Sequence, residues 1–242
     1  MTLRQKQTFL CGCKDAVPIA LGYLSVSFAF GILTVQHGLP MWAPALISAT
    51  NFTGTGQFVG ADMIAAGSTL LQIAITILVV NLRYLLMSLS MSQIVEEEMP
   101  LWQRFVIAFG VTDEIFAVSM RQKEPLRFSY LMGLMLFSFF GWNTGTILGS
   151  FASSVLPPSV QSALGIAIYA MFLAIIIPPA RKSKLITIVI TASVLLSCAL
   201  HWIPGLNQLD EGWAIILSGV TAALAGAALA VKHKKDGAEN EC

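Results

Sequence analysis

Five long stretches of this chain contain no Asp, Glu, Lys or Arg, and this segregation of charge limits what the chain can fold into. They cover residues 16–61, 63–82, 128–180, 185–209 and 212–231. About 20 apolar residues in a helix, rising about 1.5 Å each, cross the hydrocarbon core of a bilayer. Only 11% of the residues are charged, against about 25% in soluble domains, and 56% are hydrophobic. The sequence therefore predicts an all-α, polytopic membrane bundle.

Proline, glycine and charge clusters divide the apolar material into eight predicted transmembrane segments of one integral membrane domain, residues 1–242. The predicted spans are residues 15–36, 41–64, 68–92, 101–120, 128–152, 159–179, 184–203 and 212–232. Seven spans would result if the glycine-rich second segment entered the bilayer and returned, but this would place the basic residues 121–127 outside the cell.

The distribution of Lys and Arg predicts the orientation, because these residues are enriched in cytoplasmic loops. With both termini inside, as cytoplasmic tails of residues 1–14 and 233–242, twelve of the 14 basic residues fall in cytoplasmic segments. Arg104 then falls outside, beside the acidic residues 96–98, and Arg83 lies within a span. Four of the tryptophans fall at the outer edge, where tryptophan is enriched: Trp42, Trp102, Trp202 and Trp213.

Two halves of about 110 residues, each with four apolar segments, raise the hypothesis of an internal repeat, as in many transporters. The local similarity is thin: "GYLSVSFAFG" at 22–31 against "SYLMGLMLFSFFG" at 129–141.

Several classes of function are not indicated by the sequence. The net charge of +1 suggests no nucleic-acid partner, and the cysteines and three histidines do not complete a metal site. No Ser and His, paired Asp, or His-Glu-x-x-His arrangement stands at helical spacing. We therefore predict that the chain is not an enzyme and has no cofactor.

The stretch "NFTGTGQFVGAD", residues 51–62, is unusually polar for a segment in lipid. Its glycines match neither a dinucleotide fingerprint nor a P-loop. Glycines alone would indicate close helix packing, but polar side chains among them favour a helix broken at a cavity, where freed amides can bind a carboxylate. The predicted substrate-binding residues are Asn51, Thr53, Gly54, Thr55, Gly56, Gln57 and Gly60.

Charged residues in the third and fourth predicted spans form a second candidate group. Arg83 lies deep in its span, where an unpaired guanidinium is costly, and Asp113 and Glu114 lie at a similar depth. Adjacent residues are about 100° apart on a helix. One acid could thus pair with Arg83 while the other carries a proton during transport. The alternatives are that Arg83 extends to the interface and that both acids are solvated at a helix end.

These segments resemble the AzlC family of branched-chain amino acid permeases. The residues that carry the resemblance are "GCKDAVPIALGYLSVSFAFG" (12–31), "FTGTGQFVGADMIAAG" (52–67), "VNLRYLLMSLS" (80–90) and "TDEIFA" (112–117). The resemblance implies export of branched-chain amino acids and a small hydrophobic membrane subunit of the AzlD type as partner. Here Gly54 and Thr55 stand in a motif that typically reads Ala-Gly-Ala-Ser-Gln-Phe, and Tyr84 stands where a His often follows Asn-Leu-Arg.

Together these features predict a secondary transporter in the bacterial inner membrane that exports branched-chain and related apolar amino acids, coupled to the proton gradient. The alternatives from other classes are a channel for a small solute or ion, and a membrane scaffold subunit that transports nothing. In a scaffold the polar cluster at 51–62 would serve helix packing.

Overall fold

The computed structural model describes residues 7–157, 159–160, 173, 176–177, 180–181, 183–203 and 217–228. Its helices are α1 Phe9–Gln36, α2 Ala43–Thr50, α3 Thr55–Ala65, α4 Leu70–Ser92, α5 Leu101–Phe109, α6 Asp113–Ser119, α7 Phe128–Ala152, α8 Lys184–Trp202 and α9 Leu217–Ala228. Four of them, α1, α4, α7 and α8, are long and apolar enough to cross a membrane. The predicted all-α membrane bundle is confirmed.

Some predictions fall on residues outside this description. The predicted span 159–179 lies largely outside the described residues, and 212–232 is described only as α9. The ends of the chain, residues 1–6 and 229–242, are also outside. The total number of spans, the orientation of the tails and the repeat of about 110 residues therefore stay predictions.

The chain divides into two compact units. The first consists of Met1–Ala66 and Val80–Ile168, and the second of Gly67–Val79 and Tyr169–Cys242. Helix α4 begins in the second unit, and its residues 80–92 belong to the first. The candidate functional residues all lie in the first unit.

The frame of the first unit is a close, parallel pair of helices, α1 and α7. Gly12 lies against Tyr130, Ala20 against Gly141, and Phe28 against Gly149, so contacts advance in the same direction along both helices. A Cβ on Gly149 would collide with the carbonyl oxygen of Phe28. Small residues allow membrane helices to approach in this way. The short helices α2, α3, α5 and α6 pack against this pair.

The second predicted span, 41–64, is broken and turns back. We call α2 and α3, with the residues between them, segment A. The ring of Phe52 in the break lies 5.8 Å from that of Tyr23 in the middle of α1, and Phe58 lies 5.0 Å from Phe30. Further along α3, Asp62 Oδ1 lies 2.8 Å from Nδ1 of His37, just after α1. Segment A therefore enters from this end of α1 and returns to the same end. The predicted break in the second helix is confirmed.

The fourth predicted span, 101–120, is also broken, which differs from the continuous helix expected there. We call α5 and α6, with the residues between them, segment B. Trp102 contacts Phe128 at the start of α7, and the break reaches Tyr23 through Thr112. The chain then returns, and Gln122 donates to the Tyr130 hydroxyl at 2.8 Å. Segment B therefore enters from the opposite end of the α1–α7 pair and also turns back.

The two loops that flank segment B meet each other, which corrects the predicted topology. Val95 forms an isolated parallel bridge with Leu126, and Arg127 forms an ion pair with Glu96 at 3.2 Å. The eight-span arrangement placed these loops on opposite sides of the membrane, and it placed Arg104 and Trp102 apart from residues 121–127. In the structure Arg104, Trp102 and residues 121–127 lie at the same end of the first unit. We call this the basic end.

Candidate functional site

The break in segment A is held open by its own backbone and by neighbouring side chains. Gly54 precedes α3 with φ at +54°, a conformation that side chains disfavour. The carbonyl oxygen of Asn51 accepts a hydrogen bond from the Gln57 amide, and that of Thr53 accepts one from the Tyr84 hydroxyl at 2.7 Å. Backbone groups freed in a bilayer need such partners, so these two side chains stabilise the interruption.

The side chain of Gln57 is buried, with only 1% of the residue's surface exposed, and it links two parts of the chain by hydrogen bonds. Its Nε2 donates to the Asn51 carbonyl oxygen, and its Oε1 accepts a hydrogen bond of 2.9 Å from the indole N–H of Trp142. The same indole lies 3.3 Å from Ser48 Oγ at the end of α2. Gln57 thus connects the break to α7, and its carbonyl oxygen is already used within the protein.

Arg83 connects the tips of both segments. Its Nη1 forms an ion pair with Asp113 at the start of α6, and its Nη2 lies 3.3 Å from Thr55 Oγ1 at the start of α3. The guanidinium also lies over the ring of Tyr84, 4.7 Å from the centroid. The side chains of Arg83 and Asp113 remain about one-third exposed, at 32% and 33%. The pair is therefore not fully enclosed by the described residues.

Glu114 faces a different neighbour from Asp113, as adjacent helical positions require. The hydroxyl of Tyr23 contacts both a Glu114 carboxylate oxygen and, at 2.7 Å, the Thr112 hydroxyl. A phenol has one proton to donate, so the Thr112 hydroxyl can donate to Tyr23 while Tyr23 donates to Glu114. The carboxylate of Glu114 is therefore bound by a neutral donor, whereas that of Asp113 is bound by a cation.

The two helix starts at this site have opposite character. No side chain caps α3, and the cation of Arg83 lies beside its first residue. In contrast, Thr112 caps α6 by accepting from the backbone N–H of Ile115 at 3.3 Å, and its first turn contains both acids. Helix starts attract negative charge. The start of α3 therefore remains available to an anion, while α6 has its own carboxylates.

The structure brings most of the predicted residues together and adds others. Asn51, Thr53, Gly54, Thr55, Gly56 and Gln57 surround the break, while Gly60 lies in the middle of α3. Sequence reasoning missed Tyr23, Asn81, Tyr84, Thr112 and Trp142. A tryptophan in mid-span was the clearest available signal, because a buried indole N–H needs an acceptor.

Comparison with known proteins identifies the family of this chain. The profile of the family described as "AzlC protein" matches residues 18–156, which is more than half of the chain and includes both broken segments. The chain belongs to the AzlC family. No solved structure matches it.

Among the relatives of this AzlC-family chain, the inner membrane protein YgaZ of Escherichia coli is 31% identical over 184 residues, covering 73% of this chain and 75% of YgaZ. An uncharacterized membrane protein of Archaeoglobus fulgidus is 35% identical, covering 73% of this chain and 78% of the relative. The branched-chain amino acid transport protein AzlC of Bacillus subtilis is 23% identical, covering 69% of this chain and 66% of the relative. The chain is thus a member of a family of membrane proteins that includes a transporter.

Proposed function

We propose that this chain is a secondary transporter that exports branched-chain and related apolar amino acids across the bacterial inner membrane, coupled to the proton gradient. The observation that carries the proposal is the position of Arg83. It bridges the tips of two re-entrant segments that enter from opposite ends, so it stands where access could alternate between the two sides. The name of the Bacillus subtilis relative supports the substrate class.

In this proposal the substrate carboxylate binds at the start of α3, beside Arg83. The first amides of α3 and the hydroxyl of Thr55 donate to the carboxylate, Gly54 and Gly56 allow it to approach the backbone, and Thr53 adjoins the site with its lone pairs. Asn51 and Gln57 hold the break in shape, and Gly60 lies one turn further along α3. A substrate carboxylate would compete with Asp113 for the guanidinium, which links binding to movement of segment B.

Proton coupling is assigned to Glu114 within the acidic pair. Asp113 forms an ion pair with the cation of Arg83, whereas the donor that contacts Glu114 among the described residues is the neutral hydroxyl of Tyr23. A carboxylate that is bound by a neutral partner in a water-accessible part of the membrane can take up and release a proton during a cycle. The pair would then divide two roles, charge balance for Asp113 and proton transfer for Glu114.

The proposal also includes orientation and partnership. The basic end contains Arg104, Arg121, Lys123 and Arg127, and we assign it to the cytoplasm by the enrichment of such residues there. Both termini would then be cytoplasmic. A small hydrophobic AzlD-type subunit is proposed as the partner, from the resemblance to the family.

The test is efflux of labelled valine from cells that contain this chain, with and without the small hydrophobic subunit. Saturable efflux that follows the proton gradient, and that is strongest with both chains, is the expected result. Flux that rises linearly with concentration and ignores the gradient would identify a channel. Normal insertion of both chains without any added efflux would contradict the proposal and favour a scaffold.

A further inference from the structure

A polar atom beside the proposed carboxylate site is left without a partner. Asn81 stands on α4, two residues before Arg83, and its Oδ1 is buried without a hydrogen-bond partner in the described part of the chain. A buried carbonyl oxygen without a donor costs about 1 to 3 kcal/mol, and a lipid surrounding increases this cost. Asn81 Oδ1 can therefore accept a hydrogen bond that none of the described residues supplies.

The amide of Asn81 lies against the first turn of α3. A methyl group added to Gly56 would lie 2.9 Å from Asn81 Oδ1, 3.0 Å from Asn81 Nδ2 and 2.6 Å from Thr53 Oγ1. The amide and the Thr53 hydroxyl thus lie close together against the backbone of Gly56, where a larger residue would not fit. Thr53 donates its proton to Asn51 Oδ1 at 2.7 Å. Its own lone pairs are therefore directed elsewhere, and Thr53 Oγ1 is a second acceptor beside Asn81.

We propose that Asn81 Oδ1, together with Thr53 Oγ1, binds the α-ammonium group of the amino-acid substrate. This rests on the proposed function, and it adds the residue that distinguishes an amino acid from a simple carboxylate. An ammonium group has three donors and no acceptor, so it can donate to both oxygens at once. Arg83 Nη2 lies 3.3 Å from Oγ1 of Thr55, the residue before Gly56, so a cation for the carboxylate and two neutral oxygens for the ammonium group lie at the start of α3.

The test compares two labelled ligands on membranes that contain the full chain and its variants. Valine has the ammonium group, and 3-methylbutanoate is the same molecule without it. In Asn81→Leu we expect valine to bind roughly 10- to 100-fold more weakly, the effect of losing a hydrogen bond to a charged group, while binding of 3-methylbutanoate changes less than about twofold. Equal weakening of both ligands would overturn the assignment, because it would indicate a structural role.

Asn143→Leu is the matched control. Asn143 also stands in a membrane helix, but its amide donates to the Phe139 carbonyl of its own helix at 2.9 Å. We expect no difference between the two ligands in this variant, and a ligand-dependent difference as large as that of Asn81→Leu would count against the assignment. If wild-type membranes bind no valine, the proposed function itself fails. If they bind valine and Asn81→Leu binds it equally well, only the role of Asn81 fails.

Two further measurements keep the inference open to refutation. If Asn81→Leu does not accumulate, Asn81→Asp replaces it. The added negative charge should preserve valine binding and weaken that of 3-methylbutanoate, and the reverse order would overturn the proposal. A bound sodium ion could also occupy two oxygens. Valine binding that requires Na⁺ in the wild type, but not in the Asn81 variant, would assign the site to the metal ion. It would overturn the proposal that Asn81 binds the ammonium group.

Discussion

Arg83 of α4 forms an ion pair with Asp113 of α6 while its second terminal nitrogen contacts Thr55 of α3. One side chain therefore joins the tips of two segments that enter the first unit from opposite ends. The hydroxyl of Thr55 and the carboxylate of Asp113 both stand at the first residue of a short helix that follows a break. Both contacts lie beside a helix break, because Thr55 begins α3 and Asp113 begins α6.

The Arg83 and Asp113 pair should behave as a coupled unit. Arg83→Gln and Asp113→Asn should each lower the thermal unfolding midpoint, because each leaves an uncompensated charge in the membrane. The double variant should recover part of the loss, with an interaction energy of about 1 to 3 kcal/mol in a double-mutant cycle. Lys123→Gln, at an exposed loop position, serves as the control for loss of one positive charge. Strictly additive effects would show that the two groups do not interact.

Glu114→Gln should separate transport from the proton gradient. The amide can still accept from Tyr23 but cannot bind and release a proton. We expect exchange of labelled valine against unlabelled valine to continue at about half the wild-type rate or more, while uphill efflux driven by a pH gradient is lost. Glu98→Gln, at an exposed position of the loop, should change neither. Gradient-driven efflux in the Glu114 variant would exclude this residue from coupling.

Gly56→Ala should impair the site more than its size suggests. The new methyl group would lie 2.6 Å from Thr53 Oγ1 and 2.9 Å from Asn81 Oδ1, so one of them must move. Overpacking of this kind costs about 1 to 3 kcal/mol. We expect a lower unfolding midpoint together with weaker valine binding. Gly22→Ala is the control, because a Cβ there meets no atom within 4 Å. Similar effects of the two substitutions would contradict the close contact at Gly56.

Cysteine cross-linking should distinguish returning segments from crossing ones. In a chain without its native cysteines, the pair Glu96→Cys and Arg127→Cys should form a disulfide or short bifunctional link, since the native side chains contact at 3.2 Å. His37→Cys and Asp62→Cys should link as well. An impermeant thiol reagent should label the two pairs from opposite sides of the membrane.

A chain that crosses at 101–120 gives a different result. Residues 96 and 127 would then lie about 30 Å apart, on opposite faces of the bilayer, and no short reagent could join them. If the reagent labels the cysteine at position 96 from one side of the membrane and that at position 127 from the other, segment B crosses the bilayer. That result would overturn the returning path of segment B.

The approximate location of the ion pair could be anticipated, but the reasoning behind it was incomplete. In the sequence analysis, counting residues along a continuous fourth helix placed Asp113 at a depth similar to that of Arg83. In the structure Asp113 reaches that depth from the basic end, at the start of a short returning helix. A distance measured along a straight helix can therefore give the right neighbour and the wrong path. Asn81 and Trp142 were not anticipated, because the residues that they lie beside, Gly56 and Gln57, are distant in sequence.

What the sequence determined by itself is local. The uncharged runs predicted an all-α membrane bundle, the glycines and polar residues at 51–62 marked an interruption, and the family motifs indicated the AzlC family. Tertiary structure decided whether an interrupted segment crosses the bilayer or returns. Both paths bury the same apolar side chains, so hydropathy does not distinguish them. The choice depends on contacts such as His37 with Asp62 and Glu96 with Arg127, which join residues that no local pattern relates.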